Sequence, residues 1–171
     1  HTFLLLLALA TAFSFSSCTE DGEQRFEIPL TISDFSVSAF DPNQSWKTFS
    51  TEVVTNGISA TLADFGYSLD NVKKIEPKNI TLTITSPGKT FDNIQSIDAH
   101  VSAPGFTETK VAYSDGIPAG ATTLPLSSQY SDITEILKQP EFTFLVRALN
   151  DGAFGPATGS ITFTVDVIAE K

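Results

Sequence analysis

The sequence predicts an all-β fold: an antiparallel, immunoglobulin-like β-sandwich of seven or eight strands with two short helical segments. Three observations predict it. Short runs of alternating apolar and polar residues recur along the chain, which is the period of half-buried strands. Turn sequences separate them, among them Pro87-Gly88, Pro104-Gly105 and Ser114-Asp115-Gly116. No strand–helix–strand rhythm accompanies them, so the runs do not read as a parallel sheet. The Trp and disulfide hallmark of antibody domains is missing from the sequence, so the likeness is one of architecture only.

The elements follow in order. Phe26, Ile28, Leu30 and Ile32 alternate, then Phe35, Val37 and Ala39 resume in shifted register. The slip at Ser33-Asp34 predicts a bulge or a strand break. Asp41-Pro42-Asn43-Gln44-Ser45 has the composition of a loop. Thr55 or Asn56 can cap a helix that carries Ile58, Leu62 and Phe65 on one face, with Gly66 as its stop. Ile80, Leu82 and Ile84 mark a strand that ends at Pro87-Gly88, and Ile97, Ala99 and Val101 mark the next. Residues 106–114 predict another strand. Thr123 to Ser127 predict a short one, at an edge because Pro125 has no N–H to give a ladder. Ser131 to Lys138 reads as one or two helical turns stopped by Pro140. Phe142, Phe144, Val146 and Ala148, then Ile161, Phe163, Val165 and Val167, complete the strands.

Ahead of this body, an apolar run from Phe3 to Phe15 ends in Ser16-Ser17-Cys18, and acidic residues follow at once. The run is shorter than the roughly 20 residues a helix needs to cross a bilayer core, and it ends in small residues, as a signal peptidase site does. No Met begins the chain and no basic segment precedes Thr2, as expected of a signal peptide clipped at its start. On Phe15-Ser16-Ser17-Cys18 the chain resembles bacterial lipoproteins, with Phe15 where Leu is usual. The acidic stretch Thr19-Glu20-Asp21-Gly22-Glu23 resembles the surface-export signals of Bacteroidetes-type lipoproteins. The resemblance implies lipidation at Cys18 and a place on the outer membrane, on the cell surface or otherwise on its periplasmic face. The expected organisation is a signal peptide over 1–17, a lipidated Cys and acidic tether over 18–25, and a single domain over 26–171.

All twenty acidic and ten basic residues lie beyond the signal segment, so the net charge of −10 belongs to the mature chain. Such a surface repels nucleic acid and anionic headgroups, which excludes polyanion binding from the expected roles. Cys18 is the only cysteine. Once it is acylated, no thiol is left for a disulfide or a zinc ligand, and the fold must stand on its core.

The candidate chemistry is sparse. Asp98, His100 and Ser102 share one strand face, but neighbours on such a face lie about 7 Å apart along the strand. A catalytic triad is defined by geometry, and no Gly-x-Ser-x-Gly elbow accompanies these residues, so three polar groups on a wet face is the expectation. Asp41, Asn43, Ser45 and Glu52 fall on positions 1, 3, 5 and 12 of a calcium-loop count. Trp46 stands where that loop requires Gly, so an EF-hand is not expected, and no cofactor is predicted. A calcium ion held by loop carboxylates in another geometry stays open. Acid pairs for glycoside hydrolysis cannot be picked out among twenty acids.

Binding rests on aromatics. Trp46 and Phe49 follow a polar loop, and Tyr130 lies in Ser127-Ser128-Gln129-Tyr130-Ser131. Exposed, such rings stack on sugars or anchor a protein partner; folded inward, they cap the core. The sequence therefore predicts a non-catalytic binding or accessory module, held at the membrane by lipid and facing a glycan or an outer-membrane protein complex. The alternative is a structural or fimbrial-type subunit assembled by strand addition, with Gly159 to Val167 as the donated strand. A carbohydrate-active hydrolase comes third.

Overall fold

In a computed structural model, which describes residues 22–39 and 45–171 (33 and 34 by backbone only), the alternating segments form eight strands. They are β1 (Glu23–Val37), β2 (Trp46–Thr55), β3 (Val72–Ile84), β4 (Ile94–Ser102), β5 (Thr109–Asp115), β6 (Thr123–Ser128), β7 (Glu141–Asn150) and β8 (Ala157–Glu170). Helix α1 (Ile58–Asp64), a single 3-10 turn (Leu69–Asn71) and helix α2 (Thr134–Leu137) interrupt them. The signal segment 1–17, Cys18, and Asp41 and Asn43 of the calcium-loop count lie outside the described residues.

The strands form one antiparallel sheet in the order β1-β8-β3-β6-β5-β4-β7-β2, where two separate sheets were expected. The sheet curls over on itself. Phe144 of β7 and Phe163 of β8 are not neighbours in it, yet their ring centroids lie 5.4 Å apart with the rings tilted, so the two strands meet across the core. The turn-over falls at β6. Its Leu124 and Leu126 pair with Leu82 and Ile80 of β3, whereas Ser127 and Ser128 pair with Tyr113 and Ala112 of β5. Pro125 therefore sits at the corner rather than at an outer edge. Its strand has a neighbour on one side only there, which is what a residue without an N–H tolerates.

Alternation decides which side each residue faces. Ile161, Phe163, Val165 and Val167 of β8 are all fully buried, and so are Ile97, Ala99 and Val101 of β4. Together with residues of every other strand they form one hydrophobic cluster. The register of β1 against β8 shifts between Ile32 and Phe35, at the expected slip. That shift turns Phe35 inward opposite Gly159. A Cβ at Gly159 would come 2.5 Å from the Phe35 ring and would meet the Thr83 carbonyl, so glycine is needed for the close approach of three strands.

Successive strands alternate in direction, so the connections fall on two poles. The end of β1, the start of β2 and the β3–β4, β5–β6 and β7–β8 connections share the distal pole, closed inside by Phe35, Phe49, Phe91 and Phe154. The centroid of the Phe49 ring lies 5.3 Å from that of Phe154, 6.2 Å from Phe91 and 6.3 Å from Phe35. The opposite pole holds the start of β1, the β4–β5 loop, α1, α2 and the end of β8. There Phe26 packs on Phe65 and Tyr67, with centroids 5.4 and 5.2 Å apart.

Several boundaries differ from expectation. β1 begins at Glu23 and not at Phe26, because Glu23, Gln24 and Arg25 pair with Glu170, Ala169 and Ile168; the tether is shorter by those residues. β3 begins at Val72, where Lys73, Lys74 and Pro77 mask the alternation and register shifts accommodate them. Residues 103–108 form a loop ahead of β5, so Phe106 is not on a strand. Helix α2 spans only Thr134–Leu137 of the expected Ser131 to Lys138 and is one turn long, within the one or two turns expected.

Candidate functional site

The three aromatic candidates do not gather. Trp46 is the first residue of β2, paired with Leu149 on the outer face of the sheet at the distal pole, and is 46% exposed. Phe49 is 2% exposed. It cannot touch a ligand, because a register shift between Thr48 and Ser50 turns it into the distal Phe cluster. Tyr130 is 82% exposed in the β6–α2 connection, beside Ser131, whose hydroxyl donates to the Lys110 carbonyl. From Trp46 to that point is three strand spacings and four residues of strand, on the order of 20 Å. One ligand patch containing Trp46, Phe49 and Tyr130 is thus replaced by two separate exposed rings.

Asp98, His100 and Ser102 do share the outer face of β4, but each charge looks elsewhere. Lys110 Nζ lies 2.6 Å from Asp98 Oδ1. His100 Nδ1 lies 3.0 Å from Glu108 Oε1, and Glu108 also accepts two contacts of 3.0 and 3.1 Å from Arg147 Nη2. His100 Nε2 is buried, with no hydrogen-bond partner among the described residues. Burial pushes the His100 pKa down from its ordinary value, and the Glu108 carboxylate opposes that only in part. A buried Nε2 and an occupied Nδ1 leave no ring nitrogen to take a substrate proton. The network instead pins the β4–β5 loop, through Glu108, onto β7. The sequence carried two of its five residues, Asp98 and His100; Glu108, Lys110 and Arg147 are brought in by strand pairing, which spacing along the chain does not reveal.

The calcium count does not describe a loop. Its position 12, Glu52, lies within β2 and accepts a hydrogen bond from the Ser50 hydroxyl at 3.2 Å. Among the described residues no cluster of His, Cys, Asp or Glu is arranged to hold a metal. No helix among them is long and apolar enough to cross a membrane.

Concave surface is found at the pole where β1 begins. Two depressions flank the β4–β5 loop there. One, of about 340 Å³, is lined by Val53, Pro104, Pro140 and Phe142 among others. The other, of about 380 Å³, runs between Phe106 and α2 and includes Lys73, Asp132 and Ile136. Val53 is 69% and Phe106 38% exposed, so a discontinuous apolar rim tops the pole. A polar relay stiffens its floor. The Ile75 N–H donates to the buried Thr134 hydroxyl at 2.7 Å, and that hydroxyl donates to Asp132 Oδ1 at 2.5 Å. The Thr134 hydroxyl and N–H hold the Asp132 carboxyl below its ordinary pKa. The turn sequence Pro104-Gly105 ahead of Phe106 was the one sequence signal for this rim.

No protein-family model matches the chain, and no curated protein matches it. Among solved structures it is similar to the three-dimensional structure of Cocksfoot mottle virus, with 10% identity over 99% of this chain and 96% of that one. The TM-score of that likeness is 0.34, and neither fold nor function is argued from it.

Proposed function

We propose that the chain is a bacterial lipoprotein, anchored to the outer membrane through Cys18 and exposed on the cell surface, whose body acts as a non-catalytic binding or accessory module. The observation that carries this reading is Phe15-Ser16-Ser17-Cys18 with its acidic sequel, set five residues ahead of the strand that opens the folded body. A diacylated or triacylated cysteine gives a firm hold, since stable attachment takes more than one chain. The body is then a β-sandwich of immunoglobulin-like dimensions, and its partner is a glycan or an outer-membrane protein complex. The buried Nε2 of His100, which offers no lone pair to a substrate, is what favours binding over hydrolysis. Strand addition is the weaker alternative, because β8 already lies between β1 and β3 of its own sheet and pairs with both.

Cys18→Ala tests the anchor. The wild type is expected in the detergent phase of a cloud-point partition, with acylated cysteine as its first residue by mass spectrometry. The variant is expected in the aqueous phase, or as unprocessed precursor. Mature variant protein that still entered the detergent phase would defeat the reading.

A further inference from the structure

We infer that β2 is a self-recognition edge: two copies of this chain pair through it, antiparallel across a two-fold axis, to form a weak dimer. The inference is independent of the anchor proposed above. Three observations carry it.

The first is that the two edges of the sheet are unlike. β1 and β2 each have a hydrogen-bonded strand on one side only. β1 carries Arg25, Glu27 and Pro29, and charges and proline are what keep an edge from pairing with a foreign strand. β2 has no proline, and it holds two large hydrophobic residues that stand exposed, Trp46 at 46% and Val53 at 69%. Its only charges are Lys47 and Glu52.

The second is that those two charges are left over by their own chain. Acids outnumber bases by twenty to ten, and most of the bases are bridged to an acid. Neither Lys47 nor Glu52 has an ion-pair partner among the described residues; Glu52 accepts the Ser50 hydroxyl at 3.2 Å.

The third is the register in which they meet. An antiparallel two-fold pair that sets Lys47 opposite the partner's Glu52 also sets Trp46 opposite the partner's Val53, and Thr48 opposite the partner's Thr51. Strict alternation would put Trp46 and Val53 on opposite faces, because they lie an odd number of positions apart. The bulge cancels that mismatch. Phe49 and Ser50 are both buried across the register shift, so Trp46, Thr48, Thr51 and Val53 all face outward. Lys47 and Glu52 then share the other face. Opposite residues of an antiparallel pair must lie on one face, and this register meets that condition from 46 to 53. A bulge turns an edge away from a regular strand, but here the axis passes through it and each copy meets the same bulge in its partner. The aromatic–β-branched pair and the opposite-charge pair each occur twice, and both are favourable across strands. A single strand from each copy buries less than the roughly 800 Å² per partner of a standard interface. The dimer is therefore expected to come apart on dilution, and each copy to stay folded alone.

Full-length protein is sedimented in non-ionic detergent over a range of concentrations, with the emission of Trp46, the only tryptophan, followed alongside. The protein mass is expected to rise from one copy to two, with a blue shift as the partner's Val53 covers the ring. Lys47→Glu and Glu52→Lys each set like charges together twice, and each is expected to weaken the dimer about tenfold or more. Mixed in equal amounts, the two variants are expected to pair with one another, because each supplies the charge the other lacks. The double variant, Lys47→Glu with Glu52→Lys, is expected to dimerise like the wild type, which controls for folding. Protein that stays a single copy at every concentration overturns the inference. So does a dimer that both reversals leave intact, since association would then belong to another face. Loss of the dimer in each reversal without recovery in the mixture overturns the register on which the inference stands.

Discussion

Single residues in this protein are decided by what strand pairing sets beside them, and His100 is the clearest case. Asp98 and Lys110 pair on one side of it, and Glu108 joins it to Arg147 on the other. Burial nevertheless dominates and lowers its pKa from 6.5. The unfolded chain then takes up the proton first as pH falls. Stability is therefore full above the unfolded value of about 6.5 and declines as pH falls from there toward the folded value. The urea midpoint is expected to drop between pH 7.5 and 5.5, and His100→Gln is expected to flatten that slope. An equal slope in the variant would mean that another group is responsible.

At the scale of elements, Asn56 shows how short helices are held where propensity cannot hold them. Seven residues make a helix too short to persist alone. The Asn56 side-chain oxygen accepts the Ile58 N–H at 2.9 Å, and its amide donates to the Leu137 and Gln139 carbonyls at the end of α2. Gly57, not Thr55 or Asn56, is the N-cap of α1; the Asn56 side chain instead closes the turn just ahead of the helix and staples it to the chain after α2. Asn56→Ala is expected to cost about 1–2 kcal/mol, because the Ile58 N–H loses its acceptor and two carbonyls at the end of α2 lose a donor. Hydrogen exchange should rise together in residues 56–62 and 137–140. Exchange rising in α1 alone would reduce Asn56 to a local turn-former. The sequence made α1 legible because Ile58 and Leu62 keep helical spacing and are both fully buried. It made the β1 bulge legible because the alternation slips by one residue. It hid β2, where Phe49 and Ser50 both face inward across a register shift and break the period-two pattern. The apolar rim was hidden as well: Val53 lies on that unread strand, and Phe106 was taken into β5.

At the scale of the whole molecule, the pairing of first and last strands sets the folding unit. β8 is hydrogen-bonded to β1 on one side and β3 on the other, β6 joins the two layers, and one hydrophobic cluster runs through both. Neither layer can bury its inner face without the other, so partial unfolding would expose Phe144 and Phe163 together. The described body is therefore expected to unfold in a single transition, with calorimetric and van't Hoff enthalpies equal. This separates the two structural roles a strand-rich surface protein can have. A subunit that awaits a donated strand carries an open groove, so it melts early and broadly, and an added strand raises its melting temperature. Here the groove that would receive Gly159 to Val167 is filled by the chain's own β8. A synthetic peptide of residues 159–167, added in excess, should leave the transition where it was. A rise in melting temperature on adding the peptide would show that β8 leaves its place easily, and would return strand addition to the front of the functional readings. No rise, with a sharp single transition, is what a self-sufficient module requires.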